Sequence, residues 1–568
     1  MKLKSAVLSL TVLILYLSLR EQAVAACGSI PDGSIEYNTT STAHEICNGT
    51  KLRAIQTDAT NMGACSLANS IEYDATNKYP KICISGNYKP VTCVGGTGTC
   101  TTYTACSTNG PLEWVPGQGF RWCDGANYRQ ISVASIWTWI KGFNNTTSNG
   151  VYGTQGTEDA GNAPGVRAYV QGAVSGGYYY LFGGKGRGAS TTTEGSMGDL
   201  WRYNPTTNAW TFMKGTTAQA AAGVWGTMGT EAAGNYPSGR AGAGLNTQLA
   251  DSTGNIWIFG GLGQASDNAS ALPVGDLWIY KPSTNNWTFK AGVSTQKAVS
   301  VRNTMFTYNA TTKPSGRAYH GMVVNPANNK IYIYGGYGYN TTCSMICIPA
   351  TQPDFFEYDI ATGQFRWLMS SGTAGAAAVK GAVGVFGATY HPGGRQYPAM
   401  WVDASNNVWL WGGLGKGTGG SEAQLNDLWK FDIATNQWAW MGGVTTTNNA
   451  GNYGPRGVAG TGYYPMARDG NAYWKDSSGN FWLFAGYGST GSLTDLWKFN
   501  PTTLEWTLMG GSNALGTVAN YGVMGTGSAS TTPGNRDGGM GWANGTTVMI
   551  FGGTNRAAGL NGDLWTFD

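Results

Sequence analysis

The chain has 568 residues, 87 of them glycine, with 12% aromatic and only 12% charged side chains and a formal net charge of +4. That length exceeds one ordinary globular core unless the core is built from repeats. The aromatic content excludes a disordered chain, and a near-balanced charge with no Lys/Arg run excludes an electrostatic nucleic-acid binder.

Residues 1–26 have the form of a secretory signal. Lys2 and Lys4 supply positive charge, Leu8 to Leu19 is apolar, and Ala23-Val24-Ala25 offers small residues for cleavage. The apolar stretch is too short to span a bilayer comfortably, and no other stretch is apolar enough for a membrane helix. The mature chain is therefore expected to be secreted or displayed at the cell surface, without a transmembrane span. Val24-Ala25-Ala26-Cys27 also has the form of a lipoprotein cleavage box. Arg20-Glu21-Gln22 separates it from the apolar stretch, so simple secretion is preferred over lipid anchoring at Cys27.

Residues 27–131 carry eight of the ten cysteines in three similar segments. The first contains Gly33-Ser34-Ile35-Glu36-Tyr37-Asn38, the second Asn69-Ser70-Ile71-Glu72-Tyr73-Asp74, and the third is looser. Each reads as a small β-hairpin module closed by its own disulfide: Cys27–Cys47, Cys65–Cys83 and Cys106–Cys123. Cys93 and Cys100 would pair locally, and Cys343 with Cys347 would staple a later loop. Modules this small bury little surface, so a bridge closing each loop would contribute about 3 kcal/mol. The segment serves either as a stapled spacer or as an anchoring head. No CxxC pair or suitable His spacing points to a metal.

Residues 132–568 are organised by a recurring unit. An apolar run ends in Gly-Gly, Asp-Leu-Trp opens a second run, and a lone Trp opens a third. The glycine pairs are Gly183-Gly184, Gly260-Gly261, Gly335-Gly336, Gly412-Gly413 and Gly552-Gly553, with Ala485-Gly486 as the altered copy. The acids are Asp199, Asp276, Asp354, Asp427, Asp495 and Asp563, and the lone tryptophans are Trp210, Trp287, Trp367, Trp438 and Trp506. The chain ends before a sixth such Trp. The missing piece has a match upstream: Trp137-Thr138-Trp139-Ile140-Lys141-Gly142 is similar to Trp210-Thr211-Phe212-Met213-Lys214-Gly215. A strand at Trp137 is therefore expected to complete the last sheet and remove its open edge.

Apolar run, Gly-Gly, Asp-Leu-Trp and lone Trp together resemble the kelch repeat. That resemblance implies an all-β fold: a six-bladed β-propeller of four-stranded blades, a to d, closed by the N-terminal strand and preceded by the small β-hairpin modules. One departure is length, since successive units here lie 77 residues apart at Gly183 and Gly260, against about 50 for a kelch repeat. In the fifth copy, strand a is placed near Arg468 to Trp474, b at Phe481–Phe484, c at Asp495–Phe499 and d at Trp506–Met509. The a–b and c–d turns are short and the b–c and d–a connections long, so the long loops should share one face.

The d–a loops carry aromatic residues: Tyr152, Trp225, Phe386, Tyr453 and Tyr521. With His320 and His391 these form a candidate binding face, unless the aromatics serve to pin each loop to its sheet. One Arg closes each d–a loop: Arg167, Arg240, Arg317, Arg395, Arg468 and Arg536. Their number matches that of the repeat aspartates, so a structural ring of pairs is expected in preference to an anion site.

Catalytic chemistry is sparse. Only three histidines occur, His44, His320 and His391. A copper site like that of galactose oxidase would need His320 and His391 with Tyr319 or Tyr390. A site like that of sialic-acid epimerases would draw on His320 and Glu357, which break the repeat. No cofactor, metal ligand set or catalytic residue is assigned. The expected role is non-catalytic recognition of glycan or protein through the long loops. A sugar-modifying enzyme and a structural part of a surface fibre are the alternatives.

Overall fold

The computed structural model describes residues 136–567 apart from 244–247, 267, 296, 340–347, 370–372, 529, 545–546 and 557–558, together with the backbones of ten short strands nearer the N-terminus. The side chains of all ten cysteines, and with them every disulfide expected above, lie outside the described residues. Among the described residues no helix is long and apolar enough to cross a membrane. The chain divides into two compact units, residues 1–138 with 526–531 and 568, and residues 139–525 with 532–567.

The first unit contains three small antiparallel sheets. They comprise Ile35–Asn38 with Ala43–Cys47 and Leu52–Ala54, then Ile71–Asp74 with Tyr79–Ile84 and Asn87–Pro90. The third is four-stranded, in the order Thr102–Ala105, Asn127–Ile131, Gly119–Asp124, Asn109–Val115. The strands coincide with the three segments that repeat in the sequence.

The second unit contains six main antiparallel sheets, one per sequence unit, and five smaller ones of two or three short strands among the described residues. Sheet one runs a to d as Gln171–Ser175, Tyr178–Phe182, Leu200–Asn204 and Ala209–Lys214. Its b strand shows why the unit reads as an unbroken apolar run. Tyr179 and Leu181 pack with Trp542, Met549 and Phe551 of sheet six. Tyr180 and Phe182 face sheet two, with their rings 6.0 Å from Tyr280 and 5.3 Å from Trp287. Both faces of a period-two strand are buried, so no polar alternation survives. Comparable apolar clusters join sheets two and three, three and four, and four and five. A Cβ on Gly541 in sheet six would run into the ring of Trp474 in sheet five.

Gly-Gly is explained by these junctions. Its second glycine donates its amide to the backbone carbonyl of the arginine in the next sheet: Gly184 to Arg240 at 2.9 Å, Gly261 to Arg317 at 2.8 Å, Gly336 to Arg395 at 2.8 Å and Gly486 to Arg536 at 2.9 Å. Gly553 of sheet six donates likewise to Arg167 of sheet one, at 2.9 Å. The positive φ of this residue, 93° at Gly184 and 102° at Gly486, belongs to glycine. The first position is less demanding, and Ala485 adopts φ 55° there.

Sheet six has the order Trp137–Phe143, Gly562–Phe567, Thr547–Phe551, Met540–Asn544. Its outer strand thus comes from the upstream segment, and it carries the same details as the other d strands. Gly142 has φ 86°, as Gly215 has 99° and Gly292 has 89°. A Cβ at any of the three would strike a backbone carbonyl at or just before the start of strand c, that of Gly562, Gly198 or Gly275.

One local expectation is corrected. Strand a of the fifth sheet begins at Ala472, not near Arg468. Gly470, with φ 65°, breaks the extended run, and Arg468–Asp469 pairs instead with Tyr487–Gly488 of the b–c hairpin. The d–a loops have a common internal form. Each crosses itself through a bridge spanning twelve residues, such as Val151 to Ala163 and Asn520 to Thr532. The tip then lies along the outer strand: Gly156 N donates to Phe212 O at 2.8 Å, Gly229 N to Phe289 O at 2.7 Å and Gly525 N to Trp139 O at 2.7 Å. Glu158–Asp159 even adds a fifth strand beside Ala209–Lys214. The loop thereby occupies the unpaired groups of the edge strand.

Candidate functional site

The six arginines and six aspartates form six bidentate pairs. Arg167 Nη1 and Nη2 donate to Asp199 Oδ1 and Oδ2 at 2.8 and 2.9 Å. The corresponding distances are 2.6 and 2.9 Å for Arg240 with Asp276, 2.7 and 3.1 Å for Arg317 with Asp354, and 2.7 and 3.0 Å for Arg395 with Asp427. Arg536 binds Asp563 at 2.7 and 3.0 Å, and Arg468 binds Asp495 through both nitrogens. Each Nη1 also donates to the carbonyl of the first residue of the glycine pair, from Gly183 to Gly552. These charges are fully buried. Burial alone would raise the Asp354 carboxyl, but Arg317 and Arg302 outweigh it and hold the group below its ordinary range.

The same aspartates collect the loop aromatics. Tyr152 donates to Asp199 at 2.7 Å, Trp225 to Asp276 at 3.0 Å, Tyr453 to Asp495 at 2.5 Å and Tyr521 to Asp563 at 2.9 Å. The Trp of Asp-Leu-Trp donates to the same carboxylate, as Trp201 does to Asp199 at 2.8 Å. In the third sheet, where Phe355-Phe356 replaces Leu-Trp, Arg302 stands where Tyr152, Trp225, Tyr453 and Tyr521 stand in their loops and donates to Asp354 at 3.1 Å, as Ser300 does at 3.2 Å. Phe386 sits in a short strand paired with Trp438 and Ala439. The polar ends of Tyr152, Trp225, Tyr453 and Tyr521 thus pin four of the loops to their sheets, and the Phe386 backbone ties a fifth. These ends are turned inward because a buried carboxylate needs donors on every lone pair.

His320 and His391, the histidines whose side chains are described, form no common site. His320 is buried at 1% exposure against Phe259. Burial and the nearby Arg317 push its imidazole down to about 3, so it is neutral at physiological pH. His391 holds the loop crossing with Val379 through backbone bonds. Glu357 is bound by Arg366 at 2.7 Å and by Tyr308. Among the described residues no three His, Cys, Asp or Glu side chains gather as a metal site.

A site that the sequence reading missed lies where the sheets converge. The residues two places after each arginine are Tyr169, Gly242, Tyr319, Tyr397, Gly470 and Gly538, all with φ between 55° and 67°. Their backbones hydrogen-bond from sheet to sheet: Tyr169 N to Gly538 O at 2.7 Å, Gly242 N to Tyr169 O at 3.0 Å, Tyr319 N to Gly242 O at 2.6 Å, Tyr397 N to Tyr319 O at 2.6 Å and Gly538 N to Gly470 O at 2.6 Å. Left-handed φ costs a non-glycine residue about 1–3 kcal/mol, and three tyrosines bear it here. Their rings pack together, Tyr319 on Tyr397 at 4.4 Å and Tyr169 within 6.2 Å of both. The glycines leave space for them, since a Cβ on Gly242 or Gly538 would strike the ring of Tyr319 or Tyr169.

One residue nearer the arginine, the repeat also breaks. Sheets one to three have Ala168, Ala241 and Ala318; sheets four to six have Gln396, Asp469 and Asp537. Asp537 Oδ2 accepts from Tyr169 Oη at 2.7 Å and from Arg556 Nη2 at 3.0 Å. Asp469 Oδ2 accepts from Gln424 Nε2 at 3.0 Å, and its Oδ1 lies 3.6 Å from Arg556. Arg556 stacks over the Tyr487 ring at 3.6 Å. Aligning the three residues after each arginine is the signal that would have found this cluster.

Burial, opposed by Gln424 and Arg556 and reinforced by Asp537, pushes the Asp469 carboxyl up to about 6. A carboxyl raised in the fold stabilises only while protonated. That contribution is present below about 3.8 and is lost as pH climbs to about 6. Asp469→Asn is therefore expected to stabilise the chain by about 1–3 kcal/mol at pH 8 and to be neutral near pH 4. Urea titrations at the two pH values measure the difference.

No protein-family model matches the chain, and no curated protein is similar to it.

Proposed function

We propose that the six sheets are the blades of a kelch-type β-propeller closed by the Trp137–Phe143 strand. On this reading the exported chain is a non-catalytic binding module that recognises glycan or protein at the cell surface. The observation carrying the binding role is where the exposed apolar side chains fall. Among the described residues, every exposed large hydrophobic except Ile348 and Leu504 lies on a d–a connection, with Met228, Phe306, Val383, Val518, Val523 and Met524 among them. Exposed apolar groups concentrated on one class of loop mark an interaction surface. The pinned aromatics and the Arg–Asp pairs would supply the rigid support that such loops need.

A glycan array probed with the full chain tests the carbohydrate half of this reading. Bound glycans should be lost, at least tenfold in affinity, when Val523 and Met524 are both replaced by Asp, with the unfolding midpoint unchanged; a tenfold loss is about 1.4 kcal/mol. An empty array leaves a protein as the ligand. Full retention of binding by the doubly charged loop removes the loops from the reading.

A further inference from the structure

We propose that the point of convergence binds an organic cation, a primary ammonium or guanidinium group, against Asp469 and Asp537 in competition with the chain's own Arg556. The first reason is a departure from repetition. Three sheets meet the structural requirement after the arginine with alanine, so acids at Asp469 and Asp537 are not needed to build a sheet. The second is charge count. Two carboxylates, with side chains 5% and 0% exposed, share one guanidinium, and that guanidinium is 45% exposed. Buried carboxylates are normally matched by charge and hydrogen bonds. Here one negative charge is unmatched, and the buried Oδ1 of Asp537 has no hydrogen-bond partner. An ionised carboxylate only accepts, so a ligand that displaces Arg556 is favoured if its donors reach the free Oδ1 of Asp537 as well as Asp469, which Arg556 approaches only to 3.6 Å.

The third reason is the aromatic surface. Arg556 already rests on the face of Tyr487, an arrangement that suits any desolvated cation. Tyr169 and Tyr397 are partly exposed beside the acids, and Tyr319 stacks on Tyr397. A ligand cation would take the place of Arg556 between Asp537 and Asp469, and Arg556 can swing out to water at little cost because it is half exposed already. The charged and titratable groups around Asp469 are Asp537, Arg556, Tyr169 and Tyr397.

Calorimetric titration of the full chain at pH 7 tests the idea. The cationic probes are Nα-acetyl-lysine methylamide and glucosamine; the neutral controls are Nα-acetyl-norleucine methylamide and N-acetylglucosamine. Both charged probes should bind above their controls, and the tighter one tells whether the natural cation sits on a peptide or a sugar. Arg556→Ala should tighten binding by about tenfold by removing the competitor, and Asp469→Asn should weaken it by about tenfold. Circular dichroism confirms that both variants are folded. Equal binding of the neutral controls, no binding of either cation, or loss of binding in Arg556→Ala would each overturn the proposal.

Discussion

An Asp199→Ala chain should lose about 3–5 kcal/mol of stability, read as a lowered urea midpoint of tryptophan fluorescence. The substitution removes the counterion of Arg167, whose side chain is fully buried with no route to water. It also leaves Tyr152 Oη and Trp201 Nε1, which donate to Asp199 at 2.7 and 2.8 Å, without an acceptor. Each stranded donor adds about 1–3 kcal/mol before relaxation. Because the loss comes from stranded groups rather than from attraction forgone, replacing both partners should hurt less than replacing one. The double variant Arg167→Met with Asp199→Leu removes the buried charge but still strands Tyr152 Oη and Trp201 Nε1, so it is expected to recover only part of the loss. If Asp199→Ala falls within about 0.5 kcal/mol of wild type, as an ordinary surface change would, the pairs are not what fastens the d–a loops and strands b and c together.

The same pairs show which parts of the molecule can be read from residues alone. Gly-Gly, the repeat Asp and the loop Arg each perform one duty six times, and repetition makes such duties visible. The upstream strand was legible for the same reason, since Lys141-Gly142 copies Lys214-Gly215 at a backbone turn that excludes side chains. The loop tips were not legible. Glu158–Asp159 pairs over only two residues, too short to leave any hydrophobic period. The aromatic residues of the loops left two readings open, because Tyr152 is the same side chain whether its hydroxyl faces a ligand or Asp199. The convergence cluster was hidden for the opposite reason. Arg468-Asp469-Gly470 and Arg536-Asp537-Gly538 look like polar loop ends, and only their contrast with Arg240-Ala241-Gly242 marks them as exceptions.

A chain beginning at Asn144 should be the least stable variant of all, losing more than about 5 kcal/mol or failing to accumulate as a folded monomer. Strand Gly562–Phe567 would lose its partner and stand as an open edge. Trp139 is 8% exposed in the full chain and packs edge-on to Tyr521 at 5.0 Å, while Ile140 packs on the core between sheets six and one. Burying two such side chains is worth about 1.5–3 kcal/mol each. The bond from Gly525 N to Trp139 O, which seats the last d–a loop, would go as well. A synthetic peptide covering residues 136–143 should restore the lost stability in a saturable way, because it supplies the same strand in trans. A point variant separates the strand's role from the bulk of deleted chain. Gly142→Val, Gly215→Val and Gly292→Val all place a side chain at a positive φ against a backbone carbonyl at or just before the start of strand c, so their losses should agree within about 1 kcal/mol. A tolerated Gly142→Val beside two damaging counterparts would mean that the upstream strand only rests on sheet six, and the equivalence of the six sheets would fail at that point.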